Sequence, residues 1–184
     1  FKVAIGKKFY SSQKDERIIL ENNSNLIISK TRREIIEKAI KNKYDIIIFD
    51  DGLQNKSIFY DLKIVCFDSQ NWIGNGLLIP SGPLRESLNS LKNYDCIIFK
   101  ENYKKNSEII NDIKKVNNKI KIFYSEVKIL NLKKINKNKK YLIFSGIGNS
   151  DSFKNTLLKN KINVVEEMIF PDHYNYKKQD IVRI

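Results

Sequence analysis

Two adjacent carboxylates, Asp50 and Asp51, close the run "YDIIIFDDGLQN". Apolar residues lead straight into them, and Gly52 follows. Carboxylates at the end of a strand can hold a hard divalent cation directly or through water. Gly52 permits a tight turn, and Gln54 can orient a phosphate or a water. The same residues also make an ordinary strand-ending Asp-Gly turn, so this stretch leaves both alternatives open.

Three further stretches carry polar groups in shaped surroundings. "WIGNGLLIPSGPLRES", residues 72–87, gathers Gly74, Gly76, Gly82, Pro80 and Pro83. A loop of that composition is stiff, and its backbone can come close to a ligand. It delivers Arg85, suited to a bidentate grip on phosphate, and Glu86, a further oxygen ligand for a metal. Without a ligand it is an ordered surface loop with an ion pair. "SGIGNSDSF", residues 145–153, lies between an expected strand and an expected helix, where backbone N–H groups favour an anion. Asp151 stands where a dinucleotide fingerprint has its third glycine, and Ser150 or Asp151 as a simple helix cap is the plainer alternative. "FPDHYNY" holds His173, the chain's only histidine, next to Asp172. Asp15 and Glu16 precede an apolar run, as charges at a helix start do.

The elements that must position these residues alternate in type. "NLIIS" reads as a strand and "KTRREIIEKAIKNK" as an amphipathic helix, with Ile35, Ile36, Ala39 and Ile40 at helical spacing. "YDIIIFD", "LKIVCFD" and "YDCIIFK" are β-branched apolar runs of the kind found in parallel sheets covered on both faces. "SEIINDIKKVN" is a helix, and residues 119–130 read as one long strand. The polar segment 131–140 reads as a linker or exposed crossover. A fresh unit follows: strand "YLIFSG", helix "FKNTLLKNK" and strand "INVVEEMIF". The fold class is α/β, with a division expected between residues 1–132 and 133–184.

Composition narrows the function. The 184 residues carry a net charge of +13, which suits an anionic substrate, an anionic membrane surface or a nucleic acid. The basic residues are nearly all Lys, spread along helix faces and loops, with neither clustered Arg nor an aromatic RNA-binding signature, so no nucleic-acid partner is expected. Cys66 and Cys96 sit in strand-like runs without metal or redox spacing, which predicts buried, reduced thiols and a cytosolic setting. No apolar run approaches 18 residues. The chain begins on Phe1 and ends in "QDIVRI" without a stop signal, so a piece of a longer protein is expected.

Taken in order, "DDGLQ", "GNGLLIPSGPLRE", "FSGIGN" and "FPDH" resemble the tetraacyldisaccharide 4'-kinase family, the lipid A 4'-kinases of Gram-negative bacteria. The likeness covers essentially the whole chain. It implies a P-loop NTPase-like parallel core, incomplete here, with a smaller C-terminal α/β lobe. It implies phosphorylation, dependent on ATP and Mg2+, of the 4'-hydroxyl of a tetraacyldisaccharide 1-phosphate lipid at the cytoplasmic face of the inner membrane. It further implies Asp15 as catalytic base paired with His173, Asp50 and Asp51 as Walker-B carboxylates near Mg2+, and Glu86 as a metal ligand. Gln54, Arg85 and Arg32 would serve the nucleotide phosphates, with Arg33 next to Arg32 as the second choice. Lys14, Asn55 and Ser81 stand where the family has Gly, His and Ala. No G-x-x-x-x-G-K-[ST] occurs in the chain, so the phosphate-cradling loop and a membrane-associated helix are expected upstream, and the piece alone is expected to be inactive. The alternatives are a lysine-rich nucleic-acid-binding α/β module and a non-catalytic kinase remnant.

Overall fold

The computed structural model describes residues 1–9, 14–69, 71–100 and 107–184, without the side chains of 14–16. In chain order the elements are β1 (Val3–Lys8), α1 (Lys14–Asn23), β2 (Leu26–Ser29), α2 (Arg32–Lys41), β3 (Ile46–Phe49), β4 (Ile64–Asp68), β5 (Cys96–Lys100), α3 (Ser107–Val116), β6 (Lys121–Ser125), β7 (Lys140–Ser145), α4 (Ser150–Lys159), β8 (Asn163–Ile169) and α5 (Lys178–Arg183). Two 3-10 turns, Leu88–Asn93 and Leu132–Lys134, complete the set. Among the described residues the strands form sheets of order β2-β1-β3, β4-β5-β6 and β7-β8. Their pairings are parallel throughout, so the chain is an α/β protein.

By compactness the chain falls into two units. The first comprises Phe1–Gln54 and Ile129–Ile184. In it, α2 starts at Thr31, whose hydroxyl accepts from the Glu34 N–H at 3.3 Å. Glu34 in the first turn and Lys38 and Lys41 in the last complement the helix dipole. Ile35 and Ala39 are four residues apart, hence on one stripe, and pack with Ala4 and Ile27 as a buried core. Ile40 lies off that stripe and is exposed, contrary to its expected place on the apolar face.

The second unit, Asn55–Lys128, is built on β4-β5-β6. Its core is Leu91, Ile97, Phe99, Ile113 and Ile120, with Phe67, Trp72, Leu88 and Tyr124 packed against it.

Several local expectations change. Among the described residues β3 is not covered on both faces. It is an edge strand, with Ile47 and Phe49 turned to the core while Ile46 and Ile48 remain 40% and 56% exposed. Cys66 lies on the outward face of β4 and is exposed, whereas Cys96 is buried as expected. The strand expected over 119–130 stops at Ser125, which stands opposite Lys100 of β5. Segment 131–140 is more than a polar linker. Ile129, Leu132 and Ile135 pack against the core of Ile143, Leu157 and Ile162 between β7, β8 and α4. β1 and α5, not anticipated from the sequence, complete the first unit.

Candidate active site

Asp50 and Asp51 follow directly on β3. The Asp50 N–H donates to the Gly6 carbonyl at 3.3 Å, which extends the β1–β3 ladder to the end of the strand. Its carboxylate meets Lys7, with Nζ to Oδ2 at 3.0 Å. The Lys7 side chain is 9% exposed and that of Asp50 52%. An ammonium so far from water needs a charged partner, whereas the carboxylate keeps much of its surface for another ligand. Asp51 has φ +51°, in the left-handed region that Asp tolerates better than most residues. The chain therefore turns sharply before the buried Gly52.

Arg32 opens α2, and its Nη2 donates to the Asp51 carbonyl. Among the described residues its Nε is buried without a hydrogen-bond partner. Arg33 instead pairs with Glu37 at 3.0 Å along the helix surface, so Arg32 is the arginine placed beside the carboxylate turn. Lys38 reaches the end of β2, donating to the Ile28 carbonyl at 3.1 Å and to the Ser29 hydroxyl. The carboxyl ends of three parallel strands thus carry Lys7, Ser29 and Asp50, the edge where open α/β sheets place their ligands. Gln54 is exposed at the end of this turn. Asp15 falls in the first turn of α1, and its side chain lies outside what is described.

Also in the first unit, "SGIGN" and "FPDH" meet at the carboxyl ends of β7 and β8. The Phe170 N–H donates to the Ser145 carbonyl at 2.8 Å and the His173 N–H to the Gly146 carbonyl at 3.1 Å. His173 has φ +55°, and its Nε2 stands 3.9 Å from Asp172 Oδ2. The cap of α4 is Asn149, whose side chain accepts from the Ser152 N–H at 2.9 Å, rather than Ser150 or Asp151.

In the second unit the glycine-rich loop is tightly folded. The Ile79 N–H donates to the Leu84 carbonyl at 2.9 Å and the Gly82 N–H to the Leu78 carbonyl at 3.0 Å. The Asn75 amide donates to the Ser81 carbonyl at 2.8 Å. A Cβ at residue 82 would lie 2.4 Å from the Leu77 carbonyl oxygen, so this turn closes only with glycine. Arg85 is exposed at its end and Glu86 half-buried. Tyr94 Oη donates to Glu86 Oε2 at 2.8 Å, fixing one carboxylate oxygen.

Over residues 10–184 the sequence matches the family described as tetraacyldisaccharide-1-P 4'-kinase. The chain belongs to this family. It is 43% identical over 178 residues to the tetraacyldisaccharide 4'-kinase of Pelagibacter ubique (strain HTCC1062), covering 97% of this chain and 57% of that protein. Its identity to the enzyme of the same name from Rickettsia akari (strain Hartford) is 40% over 167 residues, 91% of this chain and 50% of that protein. For Rickettsia canadensis (strain McKiel) it is 38% with the same coverage. The chain therefore spans about half the length of the curated relatives it matches. No solved structure matches it.

Of the residues singled out from the sequence of this 4'-kinase family member, Asp50, Asp51 and Arg32 come together at one strand end. Asp172 and His173 meet the glycine loop before α4, and Arg85 and Glu86 share a separate loop. Lys7 is the residue that sequence reasoning missed. Its one signal was a Gly-Lys pair that lacks the spacing of a phosphate loop, and its partner Asp50 is 43 residues away.

The Tyr94 phenol is pushed up from 10.0 to about 12, first by burial, then by its hydrogen bond to Glu86 and the charge of that carboxylate. The folded state thus favours the protonated phenol. The stability this contributes is complete below the ordinary value of 10.0 and is lost as pH climbs from there through about 12. Ultraviolet titration of tyrosinate is expected to show that Tyr94→Phe removes absorbance gained near pH 12. A difference curve centred at pH 10 instead would contradict the Tyr94–Glu86 bond.

Proposed function

We propose that this chain supplies the metal-side half of the nucleotide site in an ATP-dependent kinase acting on the 4'-hydroxyl of tetraacyldisaccharide 1-phosphate, within a P-loop NTPase-like core. Membership of the 4'-kinase family supports the reaction. The observation that carries the site is the grouping of Lys7, Asp50, Asp51 and Arg32 at the carboxyl ends of parallel strands.

Phosphoryl transfer needs positioning and neutralised charge more than covalent chemistry from the protein. Among the described residues no three His, Cys, Asp or Glu side chains form a metal cluster. Mg2+ asks for less: it keeps several waters and takes one or two carboxylates together with substrate phosphates. Asp50 and Asp51, exposed side by side on a turn braced by Lys7 and Arg32, fit that donor set. Glu86 is assigned as a further oxygen ligand. When bound, the ion neutralises phosphate charge. Arg85, Arg32 and Gln54 hold the nucleotide phosphates, Asp15 accepts the proton of the sugar hydroxyl, and His173 orients Asp15 or raises its basicity.

No described helix is long and apolar enough to cross a membrane. The net charge of +13 supports contact with an anionic membrane surface, the cytoplasmic face of the inner membrane being where the lipid acceptor is met.

Transfer of labelled γ-phosphate to tetraacyldisaccharide 1-phosphate by the full-length protein tests the reading. Asp15→Ala and His173→Ala are each expected to lower kcat by about 10^2- to 10^4-fold, the usual worth of positioned acid–base groups. An Asp15→Ala protein that keeps wild-type turnover removes Asp15 from the role of base.

A further inference from the structure

The loop between β7 and α4 is read from sequence either as an anion cradle or as a plain turn. Its contacts point to a third role. The backbone of Pro171–Tyr174 runs directly over it. A Cβ at Gly146 would lie 3.1 Å from Tyr176 Oη, 3.3 Å from the Pro171 carbonyl oxygen and 3.3 Å from Tyr174 Cβ. Two of those atoms are backbone or bound directly to it, so they cannot swing aside as a side-chain end can. A Cβ at Gly148 would lie 3.3 Å from Asp172 Oδ2, the movable end of a carboxylate.

The overlying segment is pinned from several sides. The His173 N–H donates to the Gly146 carbonyl. The Phe170 ring lies 5.0 Å from that of Tyr174 and 5.1 Å from that of Tyr176. Tyr174 Oη donates to Asp180 Oδ2 at 3.1 Å, and the same oxygen accepts from the Lys177 N–H at 2.8 Å, tying the segment to the start of α5. His173 is thereby held at φ +55°, a conformation that costs a residue with a Cβ free energy unless its surroundings impose it.

Resting on the role proposed above for His173 in phosphoryl transfer, we infer that Gly146 and Gly148 are positioning residues. They form a seat without side chains that sets where Asp172 and His173 stand. The "SGIGN" motif then serves the proton-transfer side of the reaction rather than nucleotide phosphate. The two glycines differ in strength, Gly146 facing fixed atoms and Gly148 a mobile carboxylate.

In the NMR spectrum of the full-length protein the imidazole Cε1–H signal of His173 is the one lost in His173→Ala, which makes it a reporter of where this ring stands. Gly146→Ala is expected to move that signal clearly and Gly148→Ala to move it less. In the full-length protein Gly146→Ala is expected to lower kcat by roughly 10- to 100-fold, the effect of a small misplacement of a catalytic group, with KM for ATP unchanged. Should Gly146→Ala fail to fold, the smaller displacement in Gly148→Ala carries the test. An imidazole signal that stays at its wild-type position in every folded variant overturns the inference. A signal that moves while both Gly146→Ala and His173→Ala keep wild-type turnover leaves the seat standing and instead sinks the transfer role of His173.

Discussion

Asp50→Asn in the full-length protein is expected to lower kcat roughly a thousandfold, the scale of the several kcal/mol that metal-borne charge stabilisation supplies to a transferring group. The substitution separates charge from shape. Asn keeps an oxygen that can accept from Lys7 and keeps the backbone N–H that donates to the Gly6 carbonyl. The strand end therefore stays in place while the negative charge is gone. The Lys7 ammonium then faces a neutral amide, at a cost in stability of about 1–2 kcal/mol. This is less than the loss from breaking a fully buried pair, because the Asp50 side chain is half in solvent. Steady-state rates across a Mg2+ titration, with thermal melting as a control for folding, check both parts. Turnover within tenfold of wild type at saturating Mg2+ would take Asp50 out of the metal site.

The second large effect concerns stability. Phe99→Ala is expected to destabilise the second unit by about 3–5 kcal/mol, the cost of emptying a buried aromatic site. Phe99 is 2% exposed at the centre of a ring cluster, with Trp72 at 5.7 Å, Tyr124 at 5.7 Å and Phe67 at 6.2 Å. Trp72, the only tryptophan, reports on that cluster through its fluorescence during urea unfolding. The loss reaches the candidate site as well. The loop that carries Arg85 and Glu86 starts at Trp72 and runs into Leu88 and Leu91, all part of this core. A stability loss below about 1 kcal/mol would mean that the cluster repacks around the gap.

The α/β class was legible because its strands are β-branched apolar runs separated by helical periodicity, and Ile35 and Ala39 announced their stripe. What escaped depends on pairing over distance. β1 has lysines at its end and too few apolar residues to stand out, yet it is the central strand of its sheet. Sequence cannot show that Ile46 and Ile48 stay exposed on β3 among the described residues, since exposure is decided by what packs on the sheet and not by the run itself. Asp50, Asp51 and His173 were visible as residue types at strand ends. The ammonium of Lys7 beside Asp50 and the seating of Asp172 and His173 on Gly146 and Gly148 are visible only once parallel strands bring distant segments together.

The alignment of β1 with β3 has one more effect. Val3 stands opposite Ile46 and Gly6 opposite Phe49, and this single register fixes both the apolar layer and the charged pair at its end. A slip of one residue would turn Ile47 and Phe49 away from Ala4 and Ile35 and draw Asp50 past Lys7 in the same movement, because strand faces alternate with a period of two. An insertion or deletion inside "IIIF" therefore cannot trade packing against chemistry: in this sheet the two are lost together.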